Sequence, residues 1–164
     1  MVTAKIKERI VELNAKYISA LDNKNMQGWL AAFSESPEAS YICTSADNAE
    51  DNLPVSMMYD DSRNRLEDRV TYITDIWTGT FQDYRTRHFT QLLSVSDIGT
   101  GKFAAKTSFQ VFFTPDETGM SEILAVGVYE DIIEFNPKAY NCLFVSRKAV
   151  TDTGVLPRYL VYPI

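Results

Sequence analysis

The side chains that could carry chemistry are few, because the chain has one histidine, His88, and two cysteines, Cys43 and Cys142. A four-cysteine zinc or iron–sulfur site requires four thiolates, and a Rieske cluster requires two cysteines and two histidines. An iron site held by two histidines and one carboxylate requires a second imidazole. One copy of this chain therefore lacks the ligands for each of these centres. The two cysteines do not form a CxxC pair, and we interpret them as small buried hydrophobic residues.

Histidine is the side chain that most readily exchanges a proton near neutral pH, which makes His88 a candidate general acid or base. Asp60 or Asp131 could serve as its carboxylate partner. The residues around His88 on the same predicted strand are largely threonine and serine, which favours a hydrogen-bonded structural histidine. We therefore predict no catalytic residue, and the pair His88 and Asp60 stays open as the alternative.

The run Asp60–Arg63 combines carboxylates and a hydroxyl, which are ligands that a hard cation prefers. The same residue types also cap helices, and an apolar helical stripe begins shortly afterwards at Leu66. We therefore predict a helix cap, together with an ion pair between an aspartate and Arg65 or Arg69.

The charges are unevenly distributed along the chain. Residues 35–61 contain seven acidic and no basic side chains, and residues 107–137 contain six and none. Such segments are solvated faces in a free protein, and in an obligate assembly they would meet a basic partner. The net charge of −6 argues against nucleic acid and against an anionic membrane surface as partners. An anionic ligand, or acidic side chains of this chain or a partner, could pair with five clustered arginines: Arg63, Arg65, Arg69, Arg85 and Arg87.

Helical spacing dominates the first half of the chain. Apolar residues from Ile6 to Leu21 recur at steps of three and four, which predicts an amphipathic helix that stops in the polar run Asp22–Asn25. Asn25 is placed to cap a second short helix. Short strands are predicted at Ser40–Thr44 and Val55–Tyr59, and a third helix carries the stripe Leu66, Val70, Ile73 and Trp77.

From Arg85 onward the spacing changes to the two-residue alternation of strands. Turn residues at 97–101 and 115–119 separate the long strands, and further strands are predicted at Ile123–Phe135 and Tyr140–Val150. Consecutive long strands joined by tight turns predict an antiparallel, curved sheet. Helices first and hairpins last make the fold class α+β.

With 164 residues and no linker or repeat, the chain is predicted to be a single domain, 1–164. The charged N-terminal stretch does not resemble a signal peptide, and no apolar run is long enough to span a membrane. We therefore expect a cytoplasmic protein.

Apolar residues occupy both faces of the predicted strands. Phe109, Val111 and Phe113 share one face and Phe112 lies on the other. On the next strand, Ile123 and Ile133 are predicted opposite Leu124, Val126, Val128 and Ile132. Since the helices of one domain cover only one face, the other is a candidate subunit contact. The candidate interface residues are Arg85, Arg87, Phe112, Leu124, Val126 and Val128.

Several motifs of this chain resemble those of a known family. They are Ser19–Asp22 after Tyr17, Gly28–Phe33, Met58–Arg63 followed by Leu66–Val70, Arg85–Phe89 and Phe144–Val150. In order and spacing they resemble the small β subunit of aromatic-ring-hydroxylating dioxygenases, in the Rieske non-heme iron oxygenase family. Two regions depart from that pattern: Thr90-Gln91 stands where many members carry Ser-Asn, and Leu156–Ile164 finds no match.

The resemblance implies the cone-shaped fold shared with ketosteroid isomerase and scytalone dehydratase, in which N-terminal helices pack in the concave face of a long, curved antiparallel or mixed sheet. It also implies a structural subunit of the terminal oxygenase component in aromatic compound catabolism. The Rieske [2Fe–2S] cluster and the mononuclear iron are expected in a partner α subunit, with no cofactor in this chain. The expected assembly contains three α and three β subunits, with the β subunits associating as a trimer.

Two alternatives of other classes stay open because the same fold also hosts enzymes and binding modules. The first is a stand-alone isomerase or dehydratase that uses His88 with Asp60 or Asp131. The second is a ligand-binding module without catalysis.

Overall fold

The first amphipathic stretch forms helix α1, Ala4–Asp22, in the computed structural model, which describes residues 1–164. Its apolar stripe is buried, and the side-chain oxygen of Thr3 caps its first turn. Asn25 caps helix α2, Met26–Leu30, by accepting a 2.9 Å hydrogen bond from an amide of its first turn. The predicted helix and the predicted cap are confirmed.

The middle of the chain is built from short elements. Ser62 caps the longest helix of this region by accepting a hydrogen bond from the amide of Arg65, so the predicted cap within Asp60–Arg63 is confirmed. The strand predicted at Val55–Tyr59 begins later and is shorter. The elements are β1 (Ser40–Ser45), α3 (Ala46–Glu50), β2 (Met58–Asp60), α4 (Arg63–Thr71) and a π-helical turn (Tyr72–Ile76).

Four long strands complete a six-stranded sheet with the order β2-β1-β6-β5-β4-β3. Neighbouring strands are antiparallel except β1 and β6, which run parallel, so the sheet is mixed. The α+β class is confirmed. The long strands are β3 (Tyr84–Gly99), β4 (Lys102–Pro115), β5 (Glu122–Asn136) and β6 (Asn141–Thr151).

Irregular pairing bends the sheet. Register shifts occur in all three pairings between the long strands, and such bulges increase twist and bend the strand. At Gly127 the backbones of β5 and β6 approach so closely that a Cβ atom would lie 2.0 Å from the carbonyl oxygen of Val150. Only glycine fits where the two strands approach so closely.

One of these register shifts decides which residues of β5 face outward. It lies next to Phe112, which pairs with Ile123. Ile123 is 53% exposed, whereas the next residue, Leu124, is 2% exposed and belongs to the core. The prediction that Leu124 shares the outer face with Val126 is therefore wrong, as is the placement of Ile123 on the opposite face. Both predictions assumed that successive residues of β5 alternate between the two faces of the sheet without interruption.

The core lies between the sheet and the helices α1, α2 and α4, and its buried apolar side chains form one continuous cluster. Rings from three parts of the chain meet there: Tyr17, Phe33 and Phe144, with centroids 5.6 to 6.2 Å apart. After β6 the chain continues without regular structure through residues 153–164, here called the closing segment, and returns to the core at Ile164. None of the helices combines the length and apolarity needed to cross a membrane.

Candidate functional site

His88 lies on β3 and faces the core, where its side chain is 1% exposed. Its Nδ1 atom is 2.6 Å from an oxygen of Asp22, the last residue of α1. The same carboxylate accepts hydrogen bonds from the His88 amide at 3.2 Å and from the Thr86 hydroxyl at 3.0 Å. These bonds fasten the end of α1 to β3. The other ring nitrogen of His88, Nε2, is buried and has no hydrogen-bond partner.

The two aspartates predicted as partners of His88 are engaged elsewhere. Asp60 accepts two hydrogen bonds from the guanidinium of Arg69, at 2.9 and 3.0 Å. Asp131 pairs with Arg147. The predicted pairing of His88 with Asp60 or Asp131 is therefore wrong, because each of those carboxylates already faces an arginine. The predicted ion pair between an aspartate and Arg69 is confirmed.

The pair Asp131 and Arg147 occupies the concave interior, with both side chains 0% exposed. Arg147 donates to the two carboxylate oxygens at 2.9 and 2.8 Å and to the Asn14 side-chain oxygen at 2.5 Å. Burial raises the pKa of Asp131, a shift that the facing guanidinium opposes. Burial works against the charge of Arg147, yet the facing carboxylate raises the pKa of Arg147 above its ordinary value.

Aromatic rings enclose the Arg147 guanidinium. Its carbon lies 3.9 Å from the centroid of Phe144, 4.0 Å from that of Tyr129 and 4.2 Å from that of Tyr17. A cation placed over ring faces is stabilised by their negative charge, most strongly where water is excluded. This part of the interior is thus filled by a neutralised ion pair and its aromatic walls.

The residues Asp60–Arg63, considered above as a cation site, have structural roles. Besides the Asp60 ion pair and the Ser62 cap, Arg63 donates to the carbonyl oxygens of Leu30, Phe33 and Ser34 at 3.2 to 3.4 Å. Those carbonyls lie at and just after the end of α2, where helical main-chain partners run out. No group of three or more histidine, cysteine, aspartate or glutamate side chains is placed to hold a metal ion.

The outer face of the sheet carries an apolar surface, here called the outer patch: Phe89, Phe112, Ile123, Val126 and Val128. Phe89 is 55% and Val126 39% exposed, and the rings of Phe89 and Phe112 pack edge to face at 5.9 Å. Apolar side chains grouped on the solvent side of a sheet are typical of a contact surface.

Charged residues border the outer patch. Arg85 and Arg87 lie exposed on the edge strand β3, next to Phe89. Across the sheet, Lys106, Glu130 and Lys148 form a row of paired neighbours, with Lys106 and Glu130 in a 3.0 Å ion pair. An apolar centre with a charged rim has the general anatomy of a protein interface.

Two partners in the interior were missed at the level of sequence. Asp22 was interpreted as part of the polar run that ends α1 and as the end of the motif Ser19–Asp22, and Asn14 was not considered. Asp22 reaches His88 across 66 positions, and Asn14 reaches Arg147 across 133. The one signal was Asn14 itself, since it is a polar residue next to the apolar stripe of an amphipathic helix.

Solved structures place this chain among the cone-shaped folds. A ketosteroid isomerase-like protein from Erwinia carotovora atroseptica superposes with a TM-score of 0.58 at 8% identity, covering 88% of this chain and 94% of that one. The beta subunit of benzoate 1,2-dioxygenase from Burkholderia mallei superposes with a TM-score of 0.70 at 20% identity, covering 98% and 99%. The predicted cone fold is confirmed.

Sequence comparison identifies the family within that fold. The ring hydroxylating beta subunit family matches residues 4–158. A similar protein is subunit beta 2 of the terminal oxygenase component of terephthalate 1,2-dioxygenase from Comamonas sp., which is 26% identical over 156 residues, or 95% of this chain and 97% of the relative. The chain belongs to the ring-hydroxylating beta-subunit family, as its motifs predicted.

Proposed function

We propose that this chain is the structural β subunit of the terminal oxygenase component of an aromatic-ring-hydroxylating dioxygenase. The observation that carries this proposal is the contrast between its two faces. The interior pairs His88 with Asp22 and Arg147 with Asp131, whereas the outer patch is exposed and bordered by charges. The chain thus presents a contact surface on its outer face.

The partner in this proposal is a larger α subunit that carries the Rieske cluster and the mononuclear iron. The family match supports it, since its relatives are named as subunits of terminal oxygenase components. The sequence supports it too, because one histidine and two cysteines cannot supply the ligands of either centre. The oxidation of an aromatic compound would take place in the partner, and this chain would hold the assembly together.

We further propose that three copies associate through the outer face, within an assembly of three α and three β subunits. The contact would include Phe112, Val126 and Val128, with Arg85 and Arg87 at its rim. Burial of the outer patch removes apolar surface from water, which stabilises the assembly by about 25 cal/mol for each Å². The arginines can pair with acidic side chains of a neighbouring subunit.

Native mass spectrometry of the chain, alone and co-expressed with an α subunit, tests this proposal. We expect a trimer alone and a hetero-oligomer in the co-expressed sample. Val126→Asp should shift both toward free chains, while Val11→Asp, at a 52% exposed position on α1, should leave them unchanged. A wild-type chain that sediments as a stable monomer at micromolar concentration and does not co-purify with an α subunit would contradict the proposal.

The stand-alone isomerase or dehydratase is tested by His88→Asn. In our proposal the oxygenase complex keeps its turnover per intact assembly, and any loss follows stability or assembly, because the buried His88 ring fastens α1 to β3 through Asp22. A complex that stays intact by mass yet loses more than about a thousandfold in turnover would instead support direct chemistry at His88.

A further inference from the structure

The closing segment, residues 153–164, is attached to the rest of the protein in an unusual way. None of its main-chain groups forms a hydrogen bond with another main-chain group, although the preceding strand β6 pairs with β5 along its length except at one register shift. Side chains hold it instead, as they would hold a bound peptide. Arg158 donates to the carbonyl oxygen of Gln82 at 2.9 Å and lies 4.0 Å above the ring of Tyr84.

The tightest attachment is at Ile164, where two tyrosines bind the main-chain N–H and the main-chain oxygen of one residue. The hydroxyls of Tyr17 and Tyr41 donate to the main-chain oxygen of Ile164 at 2.9 and 3.0 Å. The Tyr41 hydroxyl also accepts a hydrogen bond from the Ile164 amide at 3.0 Å. Burial raises the pKa of Tyr17 to about 12 and that of Tyr41 well above its ordinary value, so both phenols remain neutral donors.

Apolar contacts accompany this recognition. Val161 and Ile164 are 2% and 1% exposed, and the ring of Tyr162 packs edge to face against Phe81 and Tyr84, with centroids 5.9 Å away. The start of the segment is loose by comparison, with Val155 83% exposed. The contacts that hold the segment are thus concentrated in its last residues, which lie beyond the family match that ends at residue 158.

We propose that Tyr17 and Tyr41 form a peptide-binding site and that residues 161–164 are its resident, exchangeable ligand. The site recognises the main-chain N–H and main-chain oxygen of a residue with a branched aliphatic side chain, which the core encloses. This site is separate from the outer patch, since it lies on the helical side of the sheet. The segment can leave without breaking a main-chain bond of any strand, so an added peptide of the same chemistry can replace it.

A labelled peptide tests this exchange. The probe is a fluorescein-labelled, amidated peptide with the sequence of Tyr159–Ile164, and binding is followed by fluorescence anisotropy. In the full chain, Ile164→Gly weakens the resident ligand, so we expect saturable binding at least tenfold tighter than to the wild type. Adding Tyr41→Phe should weaken that binding about tenfold, because it removes the hydroxyl that binds both the N–H and the main-chain oxygen of the isoleucine. The matched control is Tyr140→Phe, at an exposed tyrosine outside the site, which should change nothing.

Hydrogen exchange measured on the unmodified chain gives a second test, which does not depend on whether a variant folds. We expect the amide of Ile164 to exchange at least a hundredfold faster than amides of the central strand β5, because local release of the segment suffices. Equal rates for Ile164 and β5 would overturn the proposal, since the segment would then leave only when the protein unfolds. A folded Ile164→Gly variant without saturable binding, or binding that Tyr41→Phe does not weaken, would overturn it as well.

Discussion

The concave and convex faces of one sheet use alternating residues of the same strands for opposite purposes. On the concave face, polar groups such as His88, Asp131 and Arg147 are fully enclosed and bind partners within the chain. On the convex face, apolar groups such as Phe89 and Val126 are exposed. Whether a side chain is buried therefore indicates its role better than its residue type does. A buried charge in this protein supports its fold, and in our proposal an exposed ring supports subunit contact.

The largest expected effect distinguishes two residues of β5 that lie two positions apart. Leu124→Asp places a carboxylate at a 2% exposed position, and burying an unpaired charge costs several kcal/mol, comparable with the whole stability of a domain. Val126→Asp places the same group on the outer face, so the fold should persist. Circular dichroism should show an unfolded Leu124→Asp chain and a folded Val126→Asp chain. Two equally folded chains would contradict the assignment of Leu124 to the core.

The next effect concerns the interior ion pair. Arg147→Met leaves the Asp131 carboxylate buried without its partner, and we expect a loss of about 3–5 kcal/mol in the free energy of unfolding measured with urea. The outer-face control Lys148→Met should lie within about 0.5 kcal/mol of the wild type. The double variant Asp131→Leu with Arg147→Met should recover part of the loss. An Arg147→Met variant as stable as Lys148→Met would show that the ion pair does not stabilise the fold.

The close approach of strands β5 and β6 can be tested at Gly127. Gly127→Ala places a methyl group against the carbonyl oxygen of Val150, and overpacking of this kind costs about 1–3 kcal/mol. Gly154→Ala is the matched control, because its nearest neighbours would be 3.6 Å away. Thermal unfolding of both variants measures the difference. Equal melting temperatures would mean that β5 and β6 move apart at little cost and that this position does not require glycine.

The smallest effect is chemical and leaves the fold unchanged. Burial raises the pKa of Cys43 to about 12 and that of Cys142 to about 11, so little thiolate forms at pH 8. The thiolate is the reactive form, and we expect no labelling of the folded chain by a disulfide reagent at pH 8. The rate should rise about tenfold for each pH unit as long as the fold holds, and the unfolded chain should label at once. Rapid stoichiometric labelling of the folded chain would contradict the assigned burial.

Features that depend on neighbours in sequence could be predicted, and those that depend on distant partners could not. The amphipathic stripe of α1 and the caps Asn25 and Ser62 are local patterns, so they were found. The partner of His88 was not found, because no local pattern connects α1 with a strand 66 positions away. Leu124 was misplaced because a register shift is set by how two strands fit together, which alternation in one strand does not reveal.

The parallel pairing of β1 with β6 affects the time course of folding. It joins residues 40–45 to residues 146–151, so β1 gains its central partner only when the last strand has been synthesised. Until then helix α1 can pack against β3, which pairs within the earlier hairpins, but β1 and β2 have no connection to that sheet. Contacts so far apart in sequence slow folding, since a long loop must close before they form. During synthesis β1 and β2 therefore stay apart from the rest of the sheet until the last strand emerges.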